Sequence, residues 1–120
     1  MKVGDQASVT RVFTADDVDG LVDLGGPSAW PGVVPEPLIG GLFSYLLGME
    51  LPGFGANYLK QETRYLRPAP LEQALTALVE ITRLRPDQHL VDLRTTCRDP
   101  AGVLLAEGRA LIYVADVALS

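Results

Sequence analysis

The stretch Leu38–Met49, Leu-Ile-Gly-Gly-Leu-Phe-Ser-Tyr-Leu-Leu-Gly-Met, carries no charged side chain. This segment constrains the fold more than any other. Pro37 just before it suits a first helical position, where a missing N–H costs nothing. Leu38, Leu42, Tyr45, Leu46 and Met49 recur at three- and four-residue steps, which predicts a helix. A helix apolar all round must be buried on most sides. Gly40, Gly41, Ser44 and Gly48 lie among the large residues and would let a sheet approach closely, despite their cost in helix propensity. The rest of the chain must therefore supply a layer that wraps this helix.

It does so with strands. Residues 8–13 alternate enough for a short strand, and Thr14 followed by Asp16 and Asp17 reads as an N-cap and acidic first turn of a helix over 15–24. Residues 25–37 hold four prolines and three glycines in thirteen positions, so they form a loop, which carries the only tryptophan, Trp30. Strands are expected over 56–67, 73–84, 89–98 and 103–114. Ala77, Val79 and Ile81 share one face of theirs; Val91, Leu93, Thr95 and Cys97 share another. Ala106, Gly108 and Ala110 are small enough for close contact with the buried helix. Turns are expected at Arg85–Gln88 and Asp99–Gly102. One strand, one buried helix and a long antiparallel meander make an α+β fold, a sheet of about five strands around one helix. This is the hot-dog arrangement. At 120 residues the chain fits a single domain, 1–120.

Composition narrows the chemistry. His89 is the only histidine and Cys97 the only cysteine, so one chain can build neither a disulfide nor a multi-histidine metal site. No cofactor is called for: Gly25-Gly26 and Gly40-Gly41 lack the spacing of a nucleotide-binding loop. Ten Lys and Arg against fifteen Asp and Glu supply no basic stripe for nucleic acid. No apolar run approaches the roughly 18 residues of a membrane span. Met1–Asp5 lacks an apolar signal core, so the expected compartment is the cytoplasm.

Five segments in order carry a family likeness. They are Val3-Gly4-Asp5, then Val12 to Val18, Tyr58 to Pro68, Leu93 to Cys97, and Ala106-Glu107-Gly108-Arg109-Ala110. Together they resemble the MaoC-like family of hot-dog proteins, which includes (R)-specific enoyl-CoA hydratases. The resemblance implies an acyl thioester substrate, carried on CoA or an acyl carrier protein, or a polyketide-like acyl chain. It also implies a dimer joined edge to edge, a homodimer or else a heterodimer. Members typically carry D-x-N-P-x-H on a loop before the central helix, and H-G-M at the helix start to help hold the thioester oxyanion. This chain departs at each point. Pro27 and Ser28 stand where the aspartate is expected, no histidine follows, the loop is shorter, and Pro35-Glu36-Pro37 takes the place of H-G-M. Pro35 and Pro37 have no N–H to offer an oxyanion. A hydratase needs a base for water and an acid for the α-carbon, and Pro27, Ser28 and Ala29 supply neither.

Glu36 takes over as the residue of interest, either a cap-like acid at the helix N-terminus or an acid–base group at a pocket mouth. The candidate catalytic set is Glu36, with Tyr45 or Glu62 in support; the candidate substrate-binding set is Trp30, Leu38 and Tyr65. All but Leu38 have a plainer reading. Glu62 sits in an ion-paired row with Lys60 and Arg64, Trp30 covers the core, and Tyr45 and Tyr65 are core residues whose hydroxyls find partners. His89 reads as a solvated strand-end histidine and Cys97 as a buried small hydrophobe. Three functions fit: an enzyme of altered chemistry (dehydration, isomerisation or ring closure), a non-catalytic acyl-binding subunit paired with a dyad-bearing partner, or a hydratase scaffold that only binds acyl-CoA.

Overall fold

The chain contains strands β1 (Gln6–Val12), β2 (Ala56–Tyr65), β3 (Ala74–Arg85), β4 (Leu90–Arg98) and β5 (Leu104–Val114), and helices α1 (Ala15–Asp23) and α2 (Glu36–Tyr45). A computed structural model describes residues 1–23, 32–53 and 56–114. The strands form one antiparallel sheet in the order β1-β3-β4-β5-β2, leaving β1 and β2 at its edges. Apolar–polar alternation sets the register. Val79 lies opposite Thr95, Ile81 opposite Leu93, Leu93 opposite Ala110 and Val91 opposite Ile112, and all of these are buried. A one-residue slip would turn this whole set to solvent, so the register is strongly specified. Thr96, between the buried Thr95 and Cys97, is also buried.

The N-terminal part folds as its capping signals direct. The Thr14 N–H donates to Asp17 Oδ2 at 2.8 Å, and the Asp17 N–H donates to Thr14 Oγ1 at 3.4 Å. This reciprocal pair is a capping box with aspartate in the usual glutamate position. Asp17 Oδ1 also receives Arg11 Nη2 at 3.3 Å, which ties α1 to β1.

The apolar segment is helical, but its buried face differs from the expected one. Ile39, Leu42, Phe43, Leu46 and Leu47 are buried, and Leu38 is half-buried. Tyr45 is 48% exposed and Met49 61% exposed, which corrects the reading of Tyr45 as a core residue. Where every position is apolar, the three-and-four spacing fits more than one stripe, and the sheet decides which is covered. The helix also changes pitch: α2 ends at Tyr45 and a π-helical turn, Leu46–Glu50, follows. Among the described residues no helix is long and apolar enough to cross a membrane.

Two further differences are local. His89 does not open β4; it closes the 3-10 turn Pro86–Gln88 with φ 56, in the left-handed region. Gly108 makes its close contact with β2, since a Cβ there would stand 1.9 Å from the Glu62 carbonyl oxygen. Close approach of two strands, rather than contact with the helix, requires glycine at this position.

Candidate functional site

The N-terminus of α2 is fixed from both directions. Pro35 is its N-cap, with extended backbone (φ −60, ψ 141), and Pro37 lies in the first turn. Glu36 between them is exposed. Val34 is anchored by its N–H to the Ala69 carbonyl at 2.7 Å. From β2, the Tyr65 hydroxyl donates to the Glu36 carbonyl at 3.2 Å. One further bond of this kind lies eight residues on, where the Tyr58 hydroxyl donates to the Ser44 carbonyl at 2.9 Å. Each tyrosine passes the glycine four residues after its acceptor. A Cβ on Gly40 would stand 3.7 Å from the Tyr65 hydroxyl oxygen, and one on Gly48 3.6 Å from that of Tyr58. Burial, and then the Glu36 carboxylate, push the Tyr65 phenol above its usual value; burial does the same for Tyr58. Both hydroxyls stay protonated donors at neutral pH.

Leu38 and Tyr45 lie on another side of the helix. With Pro37 they line a surface groove of about 390 Å³ between α2 and β1. Phe13 and Leu42 are buried at its base, and the Arg11–Asp17 pair borders it. The Arg11 guanidinium lies over the Phe13 ring, 4.9 Å from its centre. Pro37 lines the groove, whereas Glu36 before it does not, and the Glu36 charge acts on the Tyr65 hydroxyl instead.

The other candidates stand apart. Glu62 is on the outer face of the sheet, 3.1 Å from Lys60 Nζ and 3.5 Å from Arg109 Nε, and these cations hold its carboxyl below the usual range, Lys60 most. Its register partner Arg109 and the Arg64–Glu107 pair complete a charged surface row. The structure does not bring Glu62 to Glu36. His89 is exposed and its ring tilts against Tyr113, with centroids 5.8 Å apart. Cys97 is buried, and that burial pushes its thiol up to about 11. Trp30 lies outside the described residues. Among those residues, no three His, Cys, Asp or Glu side chains gather to hold a metal.

No family model matches the chain. It is 39% identical over 77 residues to the (R)-specific enoyl-CoA hydratase of Rhodospirillum rubrum, covering 64% of this chain and 53% of that protein. It is 38% identical over 80 residues to the (R)-specific enoyl-CoA hydratase of Aeromonas caviae, covering 67% and 60%. The solved (R)-hydratase from A. caviae involved in PHA biosynthesis superposes with a TM-score of 0.86 and 29% identity, covering 96% of this chain and 98% of that one. The chain is a homologue of the (R)-specific enoyl-CoA hydratases and has their hot-dog fold. The matched segments span little more than half the length of these curated relatives. This hydratase relative nevertheless has only one charged side chain, Glu36, between Asp23 and Glu50.

Some of the groove was not visible in the sequence. Arg11 and Phe13 gave no signal beyond their place near a strand end, and Asp17 was legible only as a cap. Their convergence on α2 depends on β1 lying at the sheet edge beside the helix, which no local pattern encodes.

Proposed function

We propose that this chain binds an acyl thioester and acts on the carbons next to the thioester carbonyl, with Glu36 as its acid–base group. The observation that carries the reading is Glu36 itself: an exposed carboxylate on the first residue of α2, alone among charged side chains from 24 to 49. The thioester-holding turn of the hydratases has changed here. Pro35 and Pro37 have no N–H, and the Leu38 N–H is bonded to the Pro35 carbonyl at 3.0 Å. Fewer free donors remain for an oxyanion, which disfavours ordinary hydration. A positioned carboxylate still suffices for proton transfer at carbon, the step common to dehydration, isomerisation and ring closure. The working form is a homodimer joined through the edge of β2, which has no partner strand on its outer side among the described residues.

Deuterium exchange from heavy water into crotonyl-CoA and 3-hydroxybutyryl-CoA tests this. Wild type should exchange, and Glu36→Gln should slow exchange about 10²–10⁴-fold, the usual contribution of an acid–base group. Undiminished exchange in Glu36→Gln would remove Glu36 from the mechanism. Crotonyl-CoA hydration should be slow, and hydration at the rate of an intact hydratase would contradict altered chemistry. A second reading, a non-catalytic acyl-binding subunit, is favoured by the lack of any charged side chain from 24 to 35. Thioester binding without exchange, together with co-purification of a dyad-bearing partner, would establish it instead.

A further inference from the structure

The outer face of the sheet contains a pairing that the strands themselves disfavour. Arg94 on β4 lies directly opposite Arg109 on β5, and both are exposed. The Val114 N–H donates to the His89 carbonyl, which fixes the alternation of this ladder. Counted from that bonded pair, Arg94 and Arg109 form a non-hydrogen-bonded pair. Their Cα atoms therefore stand at the closer of the two antiparallel spacings, about 4.5 Å. Like charges directly opposite each other destabilise adjacent strands.

The neighbouring carboxylates do not relieve this. Glu80 is the register partner of Arg94 on its other side, but Glu80 Oε1 accepts Gln6 Nε2 at 3.3 Å. Arg94 makes no ion pair among the described residues. Arg109 Nε stands 3.5 Å from Glu62, which Lys60 holds more closely at 3.1 Å. Glu107 pairs with Arg64. Arg64, Arg94 and Arg109 converge on one cleft of about 250 Å³, which Glu62 and Glu107 also line and Glu80 does not. Three guanidinium groups against two carboxylates leave this cleft positive, on a chain of net charge −5. The local geometry, and not the overall field, must then select an anion.

A dianion seated between Arg94 and Arg109 would remove their repulsion. One arginine fork already uses both oxygens of a carboxylate, whereas the three acceptor oxygens of a phosphate monoester can serve two forks. The cleft is smaller than the roughly 300–1,000 Å³ of pockets that enclose a whole ligand, so it suits a head group whose body stays outside. We propose that this cleft binds the phosphate group of a small phosphate monoester, with Arg94 and Arg109 as its paired ligands and Arg64 beside them. The site lies on the sheet face opposite α2 and stays uncovered when a second strand is laid along the edge of β2. It does not depend on the acyl-thioester reading above.

Calorimetric titration in chloride buffer at about pH 7.5, where the ester is dianionic, tests this. Glycerol 3-phosphate, inorganic phosphate and acetate are compared at one ionic strength. Glycerol 3-phosphate should bind wild type with a Kd of about 1 mM or below, and acetate at least tenfold more weakly. Arg94→Gln and Arg109→Gln should each weaken the ester about tenfold, the value of one charge-assisted contact. Arg83→Gln removes the same charge from an exposed position outside the cleft and should stay within about twofold. Folding is read separately. In chloride alone Arg94→Gln should melt no lower than wild type, because a repulsion is relieved. Glycerol 3-phosphate should raise the melting temperature of wild type and not of Arg94→Gln. Should Arg94→Gln melt lower, Arg94→Lys, which keeps the charge and loses the fork, should still bind the ester about tenfold more weakly. No saturation of wild type by about 10 mM ester would overturn the site. So would undiminished binding in Arg94→Gln or Arg109→Gln, an equal loss in Arg83→Gln, or acetate binding as tightly as the ester. Inorganic phosphate bound tenfold more tightly than glycerol 3-phosphate would overturn the assignment to a monoester.

Discussion

Asp17, Cys97 and Glu36 show how position sets the behaviour of a side chain. Asp17 accepts the Thr14 N–H, and this bond, with Arg11 nearby, holds its carboxyl below the ordinary 3.8 despite some desolvation. A depressed folded-state value stabilises the fold above the unfolded value and loses that contribution as pH falls through the folded one. Asp17→Asn should therefore melt below wild type at neutral pH, with the gap closing below pH 3.8. A gap that persists unchanged in acid would mean the carboxylate is not what matters. Thr14→Ala should cost about 1 kcal/mol at neutral pH, as removal of an N-cap does. Cys97 is the opposite case. With its thiol near 11, about one molecule in a thousand is thiolate at pH 8. Native protein should resist iodoacetamide for hours and react promptly in urea; fast native labelling would show that the strand opens. Glu36, unlike both, is exposed, and among the described residues it is its carbonyl, not its carboxylate, that accepts a hydrogen bond.

The link between β2 and α2 is built from repeated small decisions. Tyr65 and Tyr58 reach the Glu36 and Ser44 carbonyls across Gly40 and Gly48. Tyr65→Phe and Tyr58→Phe should each lower unfolding free energy by about 1 kcal/mol in urea titrations, the net value of one hydrogen bond. Gly40→Ala should be tolerated, since its Cβ would meet the hydroxyl at ordinary contact distance. Gly108→Ala should not: its Cβ would overlap the Glu62 carbonyl, and about 3 kcal/mol of overpacking is expected. Near-wild-type stability of Gly108→Ala would mean that β2 can shift away at little cost. These elements also show what the sequence could carry. β3, β4 and β5 were legible because one face is polar, so period and burial agree at Val79, Leu93 and Ile112. The buried face of α2 was not, because Leu38–Met49 has no charged side chain to mark an outer side, and Tyr45 and Met49 fall on the same three- and four-residue steps as Leu42 and Leu46. The glycines were legible as small residues, but not their separate partners: a tyrosine for Gly40, a strand for Gly108 and open space for Gly41. The Glu36–Tyr65 contact joins residues 29 apart in sequence, and only the fold brings them together.

At the scale of the whole molecule, the sheet ends in a strand whose outer side has no partner among the described residues. β2 pairs with β5 on one side only. The Leu66 N–H donates to the Leu105 carbonyl, continuing the register in which Glu62 faces Arg109 and Arg64 faces Glu107. Antiparallel ladders alternate, so even-numbered residues exchange hydrogen bonds with β5, and the amides and carbonyls of Gln61 and Thr63 point outward. An open edge of this kind is a template for a second strand. The charges of the outer face then select the register of a two-fold pairing with a second copy. Centred on Gln61, it sets Lys60 of each copy against Glu62 of the other. Centred on Thr63, it sets Glu62 against Arg64. Centred on Glu62, it sets two glutamates together and Lys60 against Arg64, a like-charge arrangement that destabilises adjacent strands. The row Lys60, Glu62, Arg64 thus permits the first two registers and opposes the third. Glu62→Lys makes the row uniformly positive and leaves no favourable register. Sedimentation equilibrium at low ionic strength should find wild type dimeric and Glu62→Lys dissociated by tenfold or more, with the difference shrinking as salt screens the charges. A wild-type protein that stays monomeric at high micromolar concentration would show that β2 does not pair. A Glu62→Lys dimer as tight as wild type at every salt concentration would show that the two copies meet through some other surface.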